Sequence, residues 1–533
     1  MALRKLLFKS GVNRENTRYT NEGGWYVSEK VRFRQGTPEK IGGWVQYSAN
    51  QFNGVCRNLW NWVTNGSLNL LGVGTNTKYY IENIGIYNDV TPTGLAAGSA
   101  ISYAATGWGT STWSTGTWGF SSGSSTINLR VWSSSNWGED LVINPRGEAI
   151  YYWDATTGLS SPAVNITSLA GSSNAPTLAN YIFVSDISRF LFAFGCDDSA
   201  GGIGYLDPML VRWADQESLT MWLPAITNQS GSLRLSHGSE IVTSVQTRQE
   251  IFTLTDSAAY SIQFVGAPYV WGAQLLGDNI SIMSPNAAAF ASGAVYWMGV
   301  DKFYVYDGRV QTLPCDLRRY VFSDINLVQS LQVFAGTNEG FNEVWWFYCS
   351  ENSDTVDRYV VYNYLERVWY YGTMARTAWS DSGLRDYPQA ADYNGRILNQ
   401  EFGVDDVSTG TAVAIDAYIE SAEFDLDDGD HFMYVYRTVP DLTFTGSTDD
   451  SAPEVTFSIY PKRSSGSPAG TPAADTVSSA DYPVDEFTSQ IYTRFRARQA
   501  YLKVRSNKVG TTWQLGAPRI DMKPDGRATG GGA

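Results

Sequence analysis

The stretch 293–314, GAVYWMGVDKFYVYDGRVQTLP, sets an aromatic strand, a polar turn and a second aromatic strand end to end, with a closing turn at Asp307 and Gly308. Variants of this phrase return at 69–92 (NLLGVGTNTKYYIENIGIYNDVTP), 140–158 (DLVINPRGEAIYYWDATTG) and 343–372 (EVWWFYCSENSDTVDRYVVYNYLERVWYYG). Runs of Tyr, Trp, Val and Phe bounded by Gly, Asp, Asn and Pro suit a pleated, half-buried surface rather than a helix. One such hairpin is marginal alone, whereas several side by side bury one another's faces. The recurrence points to a radial or solenoidal array, with a propeller as its closed form. The expected fold class is therefore all-β: a β-propeller-like main domain with an N-terminal arm and a C-terminal β-strand appendage.

Three segments are expected. Residues 1–50 hold a basic arm, LRKLLFKSGVNRENTRY, and an edge strand within EKVRFRQG, where Val31 and Phe33 alternate with Lys30, Arg32 and Arg34, one face buried and the other cationic. Residues 51–445 hold the propeller, interrupted at 107–123 by GWGTSTWSTGTWGFSSG. There Trp108, Trp113 and Trp118 stand among residues too small to bury much themselves. They are candidates for an interface or a glycan-facing platform, because Trp offers large rigid area; the simpler reading packs them on their own fold. Residues 446–533 hold a C-terminal β region with a Pro, Ser and Gly-rich linker near 462–476. It ends in a basic ribbon, IYTRFRARQAYLKVRS followed by WQLGAPRIDM, read as a last strand pair before a frayed tail. The best helical candidate is short, 317–328.

With 533 residues, the chain can bury about three quarters of its unfolded surface without disulfide or metal staples. Cys56, Cys196, Cys315 and Cys349 are far apart, without zinc or redox spacing, and read as free thiols in a reducing compartment. The opening MALRKLLFKS lacks the apolar core of a secretory signal. The longest weakly polar run, 287–300, falls short of the roughly 20 residues that cross a bilayer. A soluble, cytoplasmically made chain without a membrane span is expected.

Charge is unevenly spread. Residues 1–40 carry nine Lys and Arg against four Glu, and residues 491–533 nine against two Asp, leaving 20 bases and 47 acids between them, a net −27 in a chain of net −15. Nucleic-acid binders draw affinity from neutralising phosphates and carry a basic face. A chain of pI near 4.7 does not grip DNA along most of its surface, although an acidic surface suits a passage that repels phosphates. Acidity for solubility is the plainer account.

Catalytic signatures are scarce. The only histidines are His237 and His431, and there is no phosphate-binding loop, HExxH or GxGxxG after a strand. The run DLDDGD at 425–430 places Gly429 one position early for a calcium loop and puts Tyr436 where a bidentate Glu should close the cage. It reads as an acidic turn, as do Asp197 with Asp198 and Asp405 with Asp406. A carboxylate pair could still cleave a glycosidic bond across a suitable cleft, but no Ser-x-Asp-x-Gly-x-Thr-Trp box is present. No catalytic residue, metal ligand or cofactor site is assigned, and the chain is read as not an enzyme.

The opening SEKVRFRQGTPEKIGGW, followed by VCRNLW and TKYY, is similar to the start of packaged-DNA stabilisation proteins, the tail hub or nozzle subunits of short-tailed bacteriophages. The stretch EIFTLTDSAAYSIQFVGAPYVWGAQLLGDNISIMSPNAAAFASGAVYWMGVDKFYVYDG resembles their central part, and RFRARQAYLKVRSNKVGTTWQLGAPRIDM their terminal strands. The likeness spans most of the chain in order and leaves out 107–123 and 462–476. It implies a structural virion protein: a propeller subunit in a ring, usually sixfold, below the portal and its head-to-tail adaptor. Such a ring extends the DNA channel, helps retain packaged DNA and conducts it at ejection. The implied partners are further copies of the chain, the adaptor, and a tail needle, spike or fibre. DNA passes through without specific binding, and the protein resides in the virion tail after assembly in the host cytoplasm. The basic residues Arg4, Lys5 and Lys9 in the arm, and Arg494, Arg496 and Arg498 in the ribbon, are the candidate partner-binding residues. Two other classes stay open: a carbohydrate-binding or carbohydrate-cleaving propeller, and another virion β protein such as a fibre or spike.

Overall fold

A computed structural model of the chain describes residues 2–104, 126–185, 188–198, 202–426, 428–448, 452–462 and 480–527. Among these, the strands form a β-propeller of seven blades with a second all-β body beside it. Six blades follow in chain order as four-stranded antiparallel meanders. The first runs Cys56–Val63, Asn69–Thr75, Tyr79–Asn83 and Ile86–Asp89, and the second opens on Trp132–Trp137. The third to sixth open on Ala179–Val184, Ile241–Gln246, Ala288–Ala291 and Phe334–Asn338. The seventh is composite. Ala378–Ser380, Gln389–Ala391 and Ile397–Gln400 are completed by Trp44–Gln46 from the beginning of the chain, with Asp406–Val407 joining it in parallel. Each inner strand packs beside the next, and Ala378–Ser380 packs beside Cys56–Val63, so the ring closes.

The recurring aromatic phrases are the middle strands of these blades. In the sixth, all of EVWWFY at Glu343–Tyr348 is buried, because a middle strand faces a neighbouring blade on either side and has no wet face. Stacked and tilted rings fill the gaps between blades, as where Trp345 meets Trp379 of the next blade at 5.7 Å and Phe252 meets Tyr306 at 4.4 Å.

The second body is built from both chain ends. One sheet orders Trp25–Glu29, Ala417–Ser421, Gln499–Ser506, Val455–Lys462 and Ala480–Val484. Another orders Ala2–Lys5, Arg519–Arg527, His431–Val439 and Phe495–Ala497, and a third orders Val31–Arg34, Thr37–Lys40, Gln514–Leu515 and Leu442–Thr443. Its core residues, among them Phe33, Val435, Phe457, Val504 and Trp513, are continuous with those of blades four to six in one apolar cluster.

Several boundaries differ from those expected. Trp44–Gln46 belongs to the ring rather than to the arm, and Ala417–Val439 belongs to the second body rather than to the propeller, since long-range strand pairing decides both and leaves no local trace. The basic ribbon is not a terminal pair. Phe495–Ala497 joins one sheet and Gln499–Ser506 another, and the chain changes face where Gln499 and Ala500 are buried in succession. Val31–Arg34 is an edge strand, but Arg32 on its supposed wet face is 1% exposed. The helical candidate becomes an α-helix at Arg318–Asp324 and a 3-10 segment at Leu327–Gln332. No helix among the described residues is long and apolar enough to cross a membrane.

Candidate docking face and the ionic joint behind it

The four-stranded sheet that unites the chain ends brings the two groups of candidate residues together. Arg4 and Lys5 stand on its first strand, opposite Ile520 and Arg519, and Arg494 and Arg496 stand on or beside its last. Residues directly opposite in antiparallel strands share a face, so Tyr434 stands with Lys523 on one side and Arg496 on the other. Alternation along 491–497, buried at Ile491, Thr493, Phe495 and Ala497 and exposed at Tyr492, Arg494 and Arg496, turns the cations outward.

These cations lie over aromatic rings. Arg494 sits 5.1 Å from the centre of Tyr436 and 5.7 Å from Tyr492, Arg496 sits 4.2 Å from Phe432, and Lys523 sits 5.3 Å from Tyr434. Arg496 Nε also donates to Asp525 Oδ2 at 2.7 Å. Arg498 is half-buried and donates from Nε to the Gly429 carbonyl at 2.6 Å, so it holds the acidic turn to the sheet rather than standing free. Lys9 is exposed beyond the first strand. Sequence reasoning missed Lys5's neighbour Arg519, and also Lys523 and the aromatic floor; the signal was the alternation YVYR at 434–437 facing TRFR at 493–496. Trp108, Trp113 and Trp118 lie outside the described residues.

Behind this body is a buried ionic joint to the propeller. Arg32 faces Glu343 of the sixth blade, 2.9 Å from Nε to Oε1, and Glu401 of the seventh, to which Nη1 donates at 2.9 Å. Trp345 Nε1 donates to Glu343 at 2.8 Å, and Tyr370 donates to its other oxygen at 2.5 Å. Burial opposes the charge on Arg32, but Glu343 and Glu401 more than offset it and hold its pKa above the usual value, while burial pushes the Glu343 carboxyl up. The neighbouring Gly42 and Gly43 admit no side chain: a Cβ would lie 2.8 Å from Glu401 Cα or 2.5 Å from Asp405 N. Asp405, read as a turn residue, accepts from the Gly510 amide with both oxygens. Lys40 Nζ donates to the carbonyls of Thr511 at 2.6 Å and Val404 at 2.8 Å, and burial lowers its pKa to about 8.

His237 sits at an exposed turn, Nδ1 3.0 Å from Ser236 Oγ, and His431 lies 3.6 Å from Asp430. Cys56, Cys196 and Cys349 are buried and Cys315 is half-buried, all unpaired, and burial raises each thiol above its usual range. Among the described residues no group of three His, Cys, Asp or Glu is placed to hold a metal ion.

No family model matches the chain, and no curated protein matches it. Solved structures do. The N-terminal domain of Nup159 aligns at 10% identity over 70% of this chain and 99% of its own, with a TM-score of 0.37. YCF48 bound to D1 peptide aligns at 9% identity over 68% and 97%, with a TM-score of 0.38, and Kluyvelomyces marxianus Hsv2 at 8% over 52% and 73%, with a TM-score of 0.30.

Proposed function

We propose that the chain is a structural subunit of a virus tail, a hub or nozzle protein that forms a ring below the portal and adaptor, extends the DNA channel and helps retain packaged DNA. The carrying observation is the joining of both basic chain ends in one sheet, with Lys5, Arg494, Arg496, Arg519 and Lys523 exposed on a protein of net charge −15. The second body that contains this sheet is tied to the propeller through Arg32, on the Val31–Arg34 strand of a neighbouring sheet, and through a shared core. A cationic, aromatic-floored patch on an acidic molecule steers onto acidic protein surfaces and fixes register more than it adds affinity. The resemblance of the opening, central and terminal stretches to tail hub proteins supports the same reading. The direct test adds the purified chain to DNA-filled heads that lack it and follows attachment and DNA protected from nuclease. Attachment with longer DNA retention is expected; unchanged leakage with no attachment overturns the proposal.

One feature favours a carbohydrate-binding reading. A cavity of about 420 Å³ at the seam of the first and seventh blades is lined by Tyr47, Tyr387, Asn69, Asn83, Asp386 and Asn399, rings and amides of the kind that hold sugars. Glycan-array binding that disappears in Tyr47→Ala would favour it.

A further inference from the structure

The outer strand of a blade stands at the rim of the ring with one edge unpaired, and such an edge offers a row of backbone N–H and C=O groups to a second chain. Most rim strands of this propeller are short. Ile86–Asp89 in the first blade, Val164–Asn165 in the second, Gly231–Arg234 in the third and Val310–Leu313 in the fifth hold four, two, four and four residues. The sixth blade has a six-residue rim strand, Val368–Thr373, whose edge is covered from within the chain. Val12 N donates to the Trp369 carbonyl at 2.7 Å, Ser28 Oγ to the Tyr371 carbonyl at 2.7 Å and Thr373 N to Glu29 Oε1 at 3.0 Å.

The fourth blade departs from both patterns. Its rim strand, Val270–Asp278, runs nine residues and pairs with Ala258–Gly266. Over 272–278 it makes no other backbone hydrogen bond among the described residues. Ala273, Gln274 and Leu275 are exposed in succession, and Phe264, Val265 and Tyr269 of the same hairpin are each more than half exposed. Trp271 lies 5.6 Å from Phe190 and 5.0 Å from Phe192 of the third blade, which fixes the strand in its extended form before any partner arrives. Residues 257–277, SAAYSIQFVGAPYVWGAQLLG, hold no Asp, Glu, Lys, Arg or His in a chain of net −15. The strand therefore lacks the charge by which natural edges block pairing.

We propose that Val270–Asp278 pairs antiparallel with the same strand of a second copy of this chain, about a two-fold axis near Gln274. Charge selects this occupant. Across a two-fold axis the central residues meet their own counterparts, so a charge there would face its like; Gln274 is neutral, and Asp278 falls opposite Val270. Two copies of net −15 repel over their acidic surface and approach most easily where no acid stands. A two-fold contact closes on itself and does not propagate. It is thus separate from any ring contact and independent of the tail reading.

The test is sedimentation velocity of the full chain up to about 0.1 mM, with amide exchange followed over 272–277. A species of twice the 58.8 kDa chain mass is expected, with exchange over 272–277 slowing as concentration rises. Gln274→Lys is expected to weaken association roughly tenfold, because two like charges then face one another across the axis. That variant makes the chain less acidic, so a general charge effect would act in the opposite direction. Thr312→Lys, on the exposed rim of the fifth blade, is expected to leave association unchanged. A monomer throughout the range, association undiminished in Gln274→Lys, equal weakening in Thr312→Lys, or association without protection over 272–277 overturns the proposal.

Discussion

Arg32 carries the joint between the two bodies. Removing it leaves Glu343 buried with no opposing charge, and breaking one side of a buried pair costs about 3–5 kcal/mol. Arg32→Met is therefore expected to lower the urea midpoint sharply, and Arg32→Lys to recover only part of the loss, because a point charge cannot serve Glu343 and Glu401 together. Lys40 supplies a pH signature. Its folded pKa of about 8 lies below the ordinary 10.5. The protonated form is thus the disfavoured one in the fold: the penalty is complete below pH 8 and is relieved as pH rises toward 10.5. The stability of the native chain relative to Lys40→Met should rise between pH 7.5 and 10, as read from paired urea titrations; a flat difference contradicts the placement of Lys40. At this scale the sequence was legible where alternation was simple, as along 491–497, and misleading at Arg32. There an edge strand is covered from outside by blades of the ring, and strand period alone cannot register a neighbour of distant origin.

Trp44–Gln46 closes the ring, so the seventh blade depends on a strand made long before the rest of it. Val45→Pro removes an amide, and with it a ladder hydrogen bond, from the middle of that strand, so stability should fall and amide exchange at Ile397–Gln400 should rise far more than in the third blade. Equal loss across all blades would contradict local closure. On the docking face, replacing Arg494, Arg496 and Arg498 by Ser should slow attachment to heads, most at low salt, where charge steering is strongest. Since Arg498 also anchors Gly429, Arg494→Ser with Arg496→Ser alone separates docking from stability. Attachment at the native rate in that pair rejects the face. The blades were readable because each repeats an aromatic hairpin of local pairing. The second body was not, because its sheets interleave strands from residues 2–40 with strands from residues 417–527 and no local pattern announces such partners.

On the scale of the molecule, the fold class was legible from hairpin recurrence and composition, whereas the count of seven blades required the closing strand to be seen in place. The acidic body, net −27 over residues 41–490, repels phosphates only within about 8 Å at physiological salt, so it can ease DNA passage only where it lines the lumen itself. Seven blades, a shared core and a basic sheet are the features on which the proposed tail role rests. Cryo-electron microscopy of the full chain bound to heads tests this most directly. The account predicts a closed ring with the basic sheet against the adaptor and carboxylates along the lumen; a monomer on the particle surface, or a lumen lined by Lys and Arg, would contradict it.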